Sequence, residues 1–163
     1  MSARSLVVIT LALLTSSACG AFGGSDPVQV STEDAALNTR WHANLASPAS
    51  LAGAVQMRGS ASMAPSPDGT GTSITVALAN ASPGGLHPWA VHRGQCGALL
   101  DDGVFGRNEA YQPLNVETDG LANGTATVPL QTPVQGRYFV VVYASAANPE
   151  TVVACGNLAS PTR

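Results

Sequence analysis

The chain has 163 residues, of which 45% are hydrophobic, a size that fits one domain with one core. Its cations are seven arginines and no lysine, set against ten acids for a net charge of −3, and a chain without a clustered basic surface is not built for nucleic acid. Only 10% of the residues are charged, against about a quarter in ordinary soluble domains, so Ser, Thr, Asn, Gln and Ala must cover the surface.

The first segment reads as a leader. Residues 1–18 open with one positive charge, Arg4, run apolar over 6–14 and close on small residues before Cys19. The apolar run is about half the length of a spanning helix, as expected of a secretory signal peptide. Because the leader ends on a cysteine, it resembles the lipobox of bacterial lipoproteins, in which that cysteine carries the lipid. Lipidation at Cys19 and attachment to a membrane are therefore expected, and Gly20 in second place points to an outer-membrane or cell-surface location. Residues 19–38 are rich in Gly, Ser and acids without a sustained period, and read as the lipidated cysteine followed by a tether.

With Cys19 given to the lipid, two cysteines remain in an exported chain. Cysteines in even number outside the cytosol usually pair, so Cys96 and Cys155 are expected to form a disulfide. A closed loop of 59 residues would restrict the unfolded chain enough to stabilise the fold by about 4 kcal/mol.

Residues 39–163 carry short segments between turn residues, at the spacing of an all-β domain. Strands are expected over 40–45 and 51–63, followed by a hairpin turn over 65–71, where Pro, Asp and Gly cluster. Over 73–78 Ile74, Val76 and Leu78 alternate with Ser73, Thr75 and Ala77, the pattern of a half-buried strand. The turn SPGG at 82–85 leads into the strand LHPWAVH, and a long loop follows over 94–115. Strands over 121–130, 136–145 and 151–158 complete seven or eight, with no helix beyond the leader. A Greek-key β-barrel or sandwich is the fold class that follows.

Three stretches carry a resemblance: LHPWAVHRGQCG at 86–97, VVVY at 140–143 and VVACGNL at 152–158. Together they resemble the copper/zinc superoxide dismutase family, whose copper strand reads LHGFHVH and aligns with LHPWAVH without a gap. The resemblance spans roughly 40–158 and implies the dismutase-like Greek-key barrel. It also implies a disulfide between the loop after the copper strand and the last strand, the elements that hold Cys96 and Cys155. Many members of that family are homodimers, so a homodimer is implied as well.

The same alignment implies that the metal centre is largely lost. Side chains alternate along a strand, so Leu86, Pro88, Ala90 and His92 share one face and His87, Trp89 and Val91 the other. The family's two copper histidines in this strand correspond to Ala90 and His92, and its third corresponds to Tyr143. A methyl group binds no metal, and a phenol with a pKa near 10 replaces imidazole poorly in copper redox cycling. The zinc loop offers only Asp101, Asp102 and Glu109, and carboxylates alone hold zinc weakly. Six histidines serve the family's two-metal site, whereas this chain has three, His42, His87 and His92. The arginine that guides superoxide in the family is replaced by Val152.

Each candidate also has a plainer role. His87 matches a family histidine that braces loops from inside the barrel, so its expected role is structural. His92 on its own reads as an exposed or half-buried polar residue, although His92, His42 and Tyr143 together remain weak candidates for a mononuclear copper site. Trp89 and Phe139 read as core or barrel surface, and the neighbouring Asp101 and Asp102 as solvated loop residues. Motifs for a nucleophile elbow, a P-loop, a zinc protease or a dinucleotide site are absent.

The expected function is an exported, lipid-anchored, dismutase-like domain without dismutase activity or cofactor, an envelope module whose protein partner the residues do not name. Two alternatives stay open. One is a copper-binding or copper-handling protein, and the other a divergent superoxide dismutase.

Overall fold

The computed structural model describes residues 39–54, 56–97 and 103–160. The leader, Cys19, the tether, Asp101 and Asp102 lie outside the described residues. Nine strands are described: β1 (Trp41–Ala46), β2 (Arg58–Pro65), β3 (Thr72–Ala79), β4 (Leu86–His87), β5 (Trp89–Arg93), β6 (Leu114–Asn115), β7 (Ala122–Val128), β8 (Tyr138–Ser145) and β9 (Asn148–Leu158). The only helical turns among the described residues are two short 3-10 segments, Ala49–Leu51 and Asn108–Ala110. No helix among them is long and apolar enough to cross a membrane.

The protein is all-β. Seven strands form one curled antiparallel sheet in the order β5-β8-β9-β1-β2-β3-β7, and β4 pairs with β6 in a separate two-stranded ladder. Strict alternation along β1 and β3 sets one face inward, with Trp41, Ala43 and Leu45 from β1 meeting Ile74, Val76 and Leu78 from β3. Trp41 is fully buried, donates its indole N–H to the Pro133 carbonyl at 2.8 Å and stacks edge-on against Tyr138.

The hairpin turn between β2 and β3 falls over the expected residues. Asp68 accepts from the Ser66 hydroxyl at 2.6 Å, the Thr70 N–H at 3.1 Å and the Thr70 hydroxyl at 2.8 Å. Those donors favour the charged carboxylate and lower its pKa to about 2.

Three expectations about elements are corrected. The second strand starts at Arg58 rather than at residue 51, because the chain first makes a 3-10 turn and passes through Gly53 at φ +86°. The motif strand is broken at Pro88, which has no N–H to give to a ladder, so it divides into β4 and β5. The stretch expected as a loop over 94–115 carries, among its described residues, a 3-10 turn at Asn108–Ala110 and the short strand β6. Phe105, Tyr111, Leu114 and Val116 are buried in the main core, and the segment is pinned by Trp89 Nε1 donating to the Gln112 carbonyl at 2.8 Å and Tyr111 Oη donating to the Phe105 carbonyl at 2.6 Å. Burial raises the Tyr111 phenol well above its ordinary pKa, so it stays a donor.

β9 crosses β1 at very close range. A side chain on Gly156 would overlap the backbone carbonyl of Asn44 and press on the Leu45 side chain. Gly156→Ala should therefore lower unfolding free energy by about 2–3 kcal/mol, read as a shifted denaturant midpoint at unchanged slope. A wild-type midpoint would show that the two strands can part without cost.

Candidate functional site

Of the residues singled out above, His92 on β5 and Tyr143 on β8 meet on the outer face of the sheet. Register explains why. Ala90 lies opposite Val141 and His92 opposite Phe139, while Trp89 and Val91 lie opposite Val142 and Val140. Val140 and Val142 face the main core, and Phe139, Val141 and Cys155 form a second, smaller core on the other side of the same strands. β8 is thus apolar on both faces, which is why its sequence is a continuous run rather than an alternation.

His92 stands on this outer face yet is only 6% exposed, a correction to the expected exposed or half-buried residue. Its ring lies over Phe139 with centroids 5.7 Å apart. On the far edge of β5, the Phe105 N–H bonds the Val91 carbonyl at 2.7 Å and Val104 bridges to His92 through the backbone. Material on both sides leaves the imidazole little contact with water.

Tyr143 reaches the same spot from β8. Its hydroxyl lies 3.0 Å from His92 Nε2, and among the described residues His92 Nδ1 is buried without a hydrogen-bond partner. Desolvation lowers the His92 pKa and raises that of Tyr143, so both groups are neutral around pH 7. A neutral imidazole hydrogen-bonded to a neutral phenol is the chemical content of the pair.

The other candidates sit elsewhere. His42 is on the outward face of β1, with β8 and β9 between it and β5. Three strand spacings put it roughly 14 Å from His92 across the sheet. It lines a shallow polar depression with Ser62, Thr75 and Thr125. His87 is buried on β4 with Nδ1 3.0 Å from the Tyr143 carbonyl, and its Nε2 lies close under Gly85, where a side chain would stand 2.8 Å away. Glu109 is exposed. No group of three or more His, Cys, Asp or Glu converges as a ligand set among the described residues.

Cys96 and Cys155 are joined by a disulfide, with Cα atoms 5.9 Å apart. Asn157 on β9 reinforces the tie, since its side-chain oxygen accepts from the Cys96 N–H at 2.8 Å. The bond floors a groove of about 860 Å3 whose apolar lining includes Phe139, Val141, Val152 and Leu51. The outer core and its groove were not foreseen from the sequence. A signal was present, because Phe139 and Val141 alternate with Val140 and Val142 and cannot all face one core.

No protein-family model matches the chain, and no curated protein matches it at a significant level.

The pair makes stability depend on pH with a definite sign. Free histidine takes up a proton below about pH 6.5, and the folded state resists doing so at His92, so the unfolded state binds more protons there. Stability from this residue is present in full above about pH 6.5 and falls on acidification below it, at up to about 1.4 kcal/mol per pH unit. His92→Leu should flatten that acid limb of the unfolding free energy; a limb as steep as wild type would remove His92 as its source. Tyr143→Phe leaves both ring nitrogens unpaired and should cost about 1–3 kcal/mol at pH 7 by chemical denaturation.

Proposed function

We propose that the protein is an exported, lipid-anchored module with the superoxide dismutase-like Greek-key barrel, which has kept the scaffold and lost the dismutase centre. The observation that carries this reading is the contact between His92 and Tyr143. Two of the positions that the resemblance assigns to copper ligands meet at 3.0 Å in a hydrogen bond with each other, and the third position, Ala90, is buried on β5 with nothing to donate.

The scaffold supports the reading in two ways. Around the curled sheet, neighbours are non-consecutive where β5 meets β8, where β9 meets β1 and where β3 meets β7, and the β4–β6 pair sits with β4 against β8 and β6 against β7, an arrangement in keeping with Greek-key connections. The disulfide joins the loop after the motif strand to the last strand, as the resemblance implied.

The chemistry of the pair argues against copper cycling. A cuprous or cupric ion would have to displace the phenol proton and break an internal hydrogen bond in a desolvated pocket, gaining one imidazole and one phenolate. Ordinary copper sites use several imidazole or sulfur ligands. The role left to the barrel is that of an envelope or surface module that acts by contact, held to the membrane through Cys19.

Two measurements test this. Oxidised protein loaded with copper and zinc and then dialysed should retain no stoichiometric metal by mass spectrometry and should remove superoxide no faster than free copper; one tightly held copper per chain would overturn the proposal in favour of copper handling. In the producing cell, Cys19→Ala should release the protein from the membrane fraction and abolish the acyl mass. An unchanged membrane fraction without acylation would withdraw the anchor.

A further inference from the structure

One-electron oxidation of a phenol is limited by its proton. The radical cation of a phenol is a very strong acid, so the electron leaves readily only where a base already stands ready to take the proton as it goes. Indoles and phenols are the side chains that give up single electrons, and this chain has two tryptophans and three tyrosines, all of them among the described residues.

Four of these rings have no such base. Trp41 Nε1 donates to the Pro133 carbonyl and Trp89 Nε1 to the Gln112 carbonyl, each at 2.8 Å, and the Tyr111 hydroxyl donates to the Phe105 carbonyl at 2.6 Å. An amide oxygen accepts a hydrogen bond but does not take up a proton near neutral pH. Tyr138 is held through its ring, edge-on to Trp41 at 5.5 Å and to Phe105 at 5.6 Å, and among the described residues no histidine or carboxylate meets its hydroxyl.

Tyr143 is different, because its hydroxyl lies 3.0 Å from His92 Nε2. Of the two partners the phenol is the stronger acid and the imidazole nitrogen the stronger base, so the hydroxyl donates and the ring carries its own proton on Nδ1. His92 is buried against Phe139, which keeps the accepting nitrogen away from water. Tyr143 itself is half-buried at the rim of the outer core, so part of it is open to a molecule in solution. Within the barrel no thiol competes for the oxidant, since Cys96 and Cys155 are already joined.

From this contrast we infer that Tyr143 is the one-electron donor of the protein, a site that reduces a diffusing free radical, with His92 as its proton acceptor. The step balances within the pair. Tyr143 loses one electron to the radical, which becomes its anion; the phenol O–H bond breaks, and the proton forms an N–H bond at His92 Nε2. A neutral tyrosyl radical is left beside an imidazolium. Burial makes that imidazolium costly, yet far less costly than a protonated amide oxygen, so Tyr143 still ranks first among the five rings. The inference needs neither the lipid anchor nor the dismutase-like scaffold, since it uses only the contact itself.

Purified protein with its disulfide intact is mixed with hexachloroiridate(IV), an outer-sphere one-electron oxidant, and followed by stopped flow and, after freeze-quenching, by electron paramagnetic resonance. A tyrosyl signal is expected that vanishes in Tyr143→Phe and persists in Tyr138→Phe. His92→Gln offers the hydroxyl an oxygen but no base, and should slow the oxidation at least about tenfold at pH 7, as His92→Leu should too. The wild-type reaction should also be slower in heavy water, because the proton moves with the electron. Wild-type speed in His92→Gln, equal rates in light and heavy water, or a radical on a tryptophan or on another tyrosine would overturn the assignment. The isotope comparison uses the wild-type chain alone, so it decides the matter even if a substituted chain fails to fold.

Discussion

Burial of β8 on both faces is the constraint from which the rest of the architecture proceeds. Val140 and Val142 fill the main core, and Phe139 and Val141 require a second cover on the outside. That cover comes from β5 side chains, from the β9 cysteine and from the loop that the disulfide ties down. Apolar area of this kind, removed from water at about 25 cal/mol per Å2, offsets the cost of enclosing an imidazole and a phenol, a cost that the hydrogen bond between His92 Nε2 and Tyr143 lowers although Nδ1 stays unpartnered. The position of His92 against Tyr143 is a by-product of that sealing as much as a designed site.

A histidine under such a cover differs chemically from one at an open metal centre. Open centres keep their ligands neutral but accessible, with a second shell that orients each ring toward the ion. Here the ring is oriented by Phe139 and engaged by a hydroxyl. The outer face has been filled with packing contacts where a metal protein would keep donor atoms free.

Much of the fold could be read from local pattern. Ile74, Val76 and Leu78 announced β3 through their alternation, Asp68 and Gly69 marked the hairpin, and the apolar run before Ser145 gave β8, because in each case short-range chemistry and tertiary burial agree. Pro88 divides the motif strand, since it has no N–H to give to a ladder. The segment from Phe105 to Val116 was harder, since it makes its contacts through isolated side chains and only two ladder pairs, with no period to detect. At the site, the alignment named His92 and Tyr143 from their strands, yet their burial could not be seen in either strand alone. It arises from the cover supplied by distant residues, Val104, Phe105 and the cysteine pair.

The β4–β6 ladder between the two ends of the curled sheet has just two rungs, Leu86 opposite Asn115 and His87 opposite Leu114, whereas β2 and β3 share eight. A wall so unevenly stitched has a seam. What closes the gap there is side-chain burial rather than backbone pairing, with His87 and Leu114 both packed away from solvent.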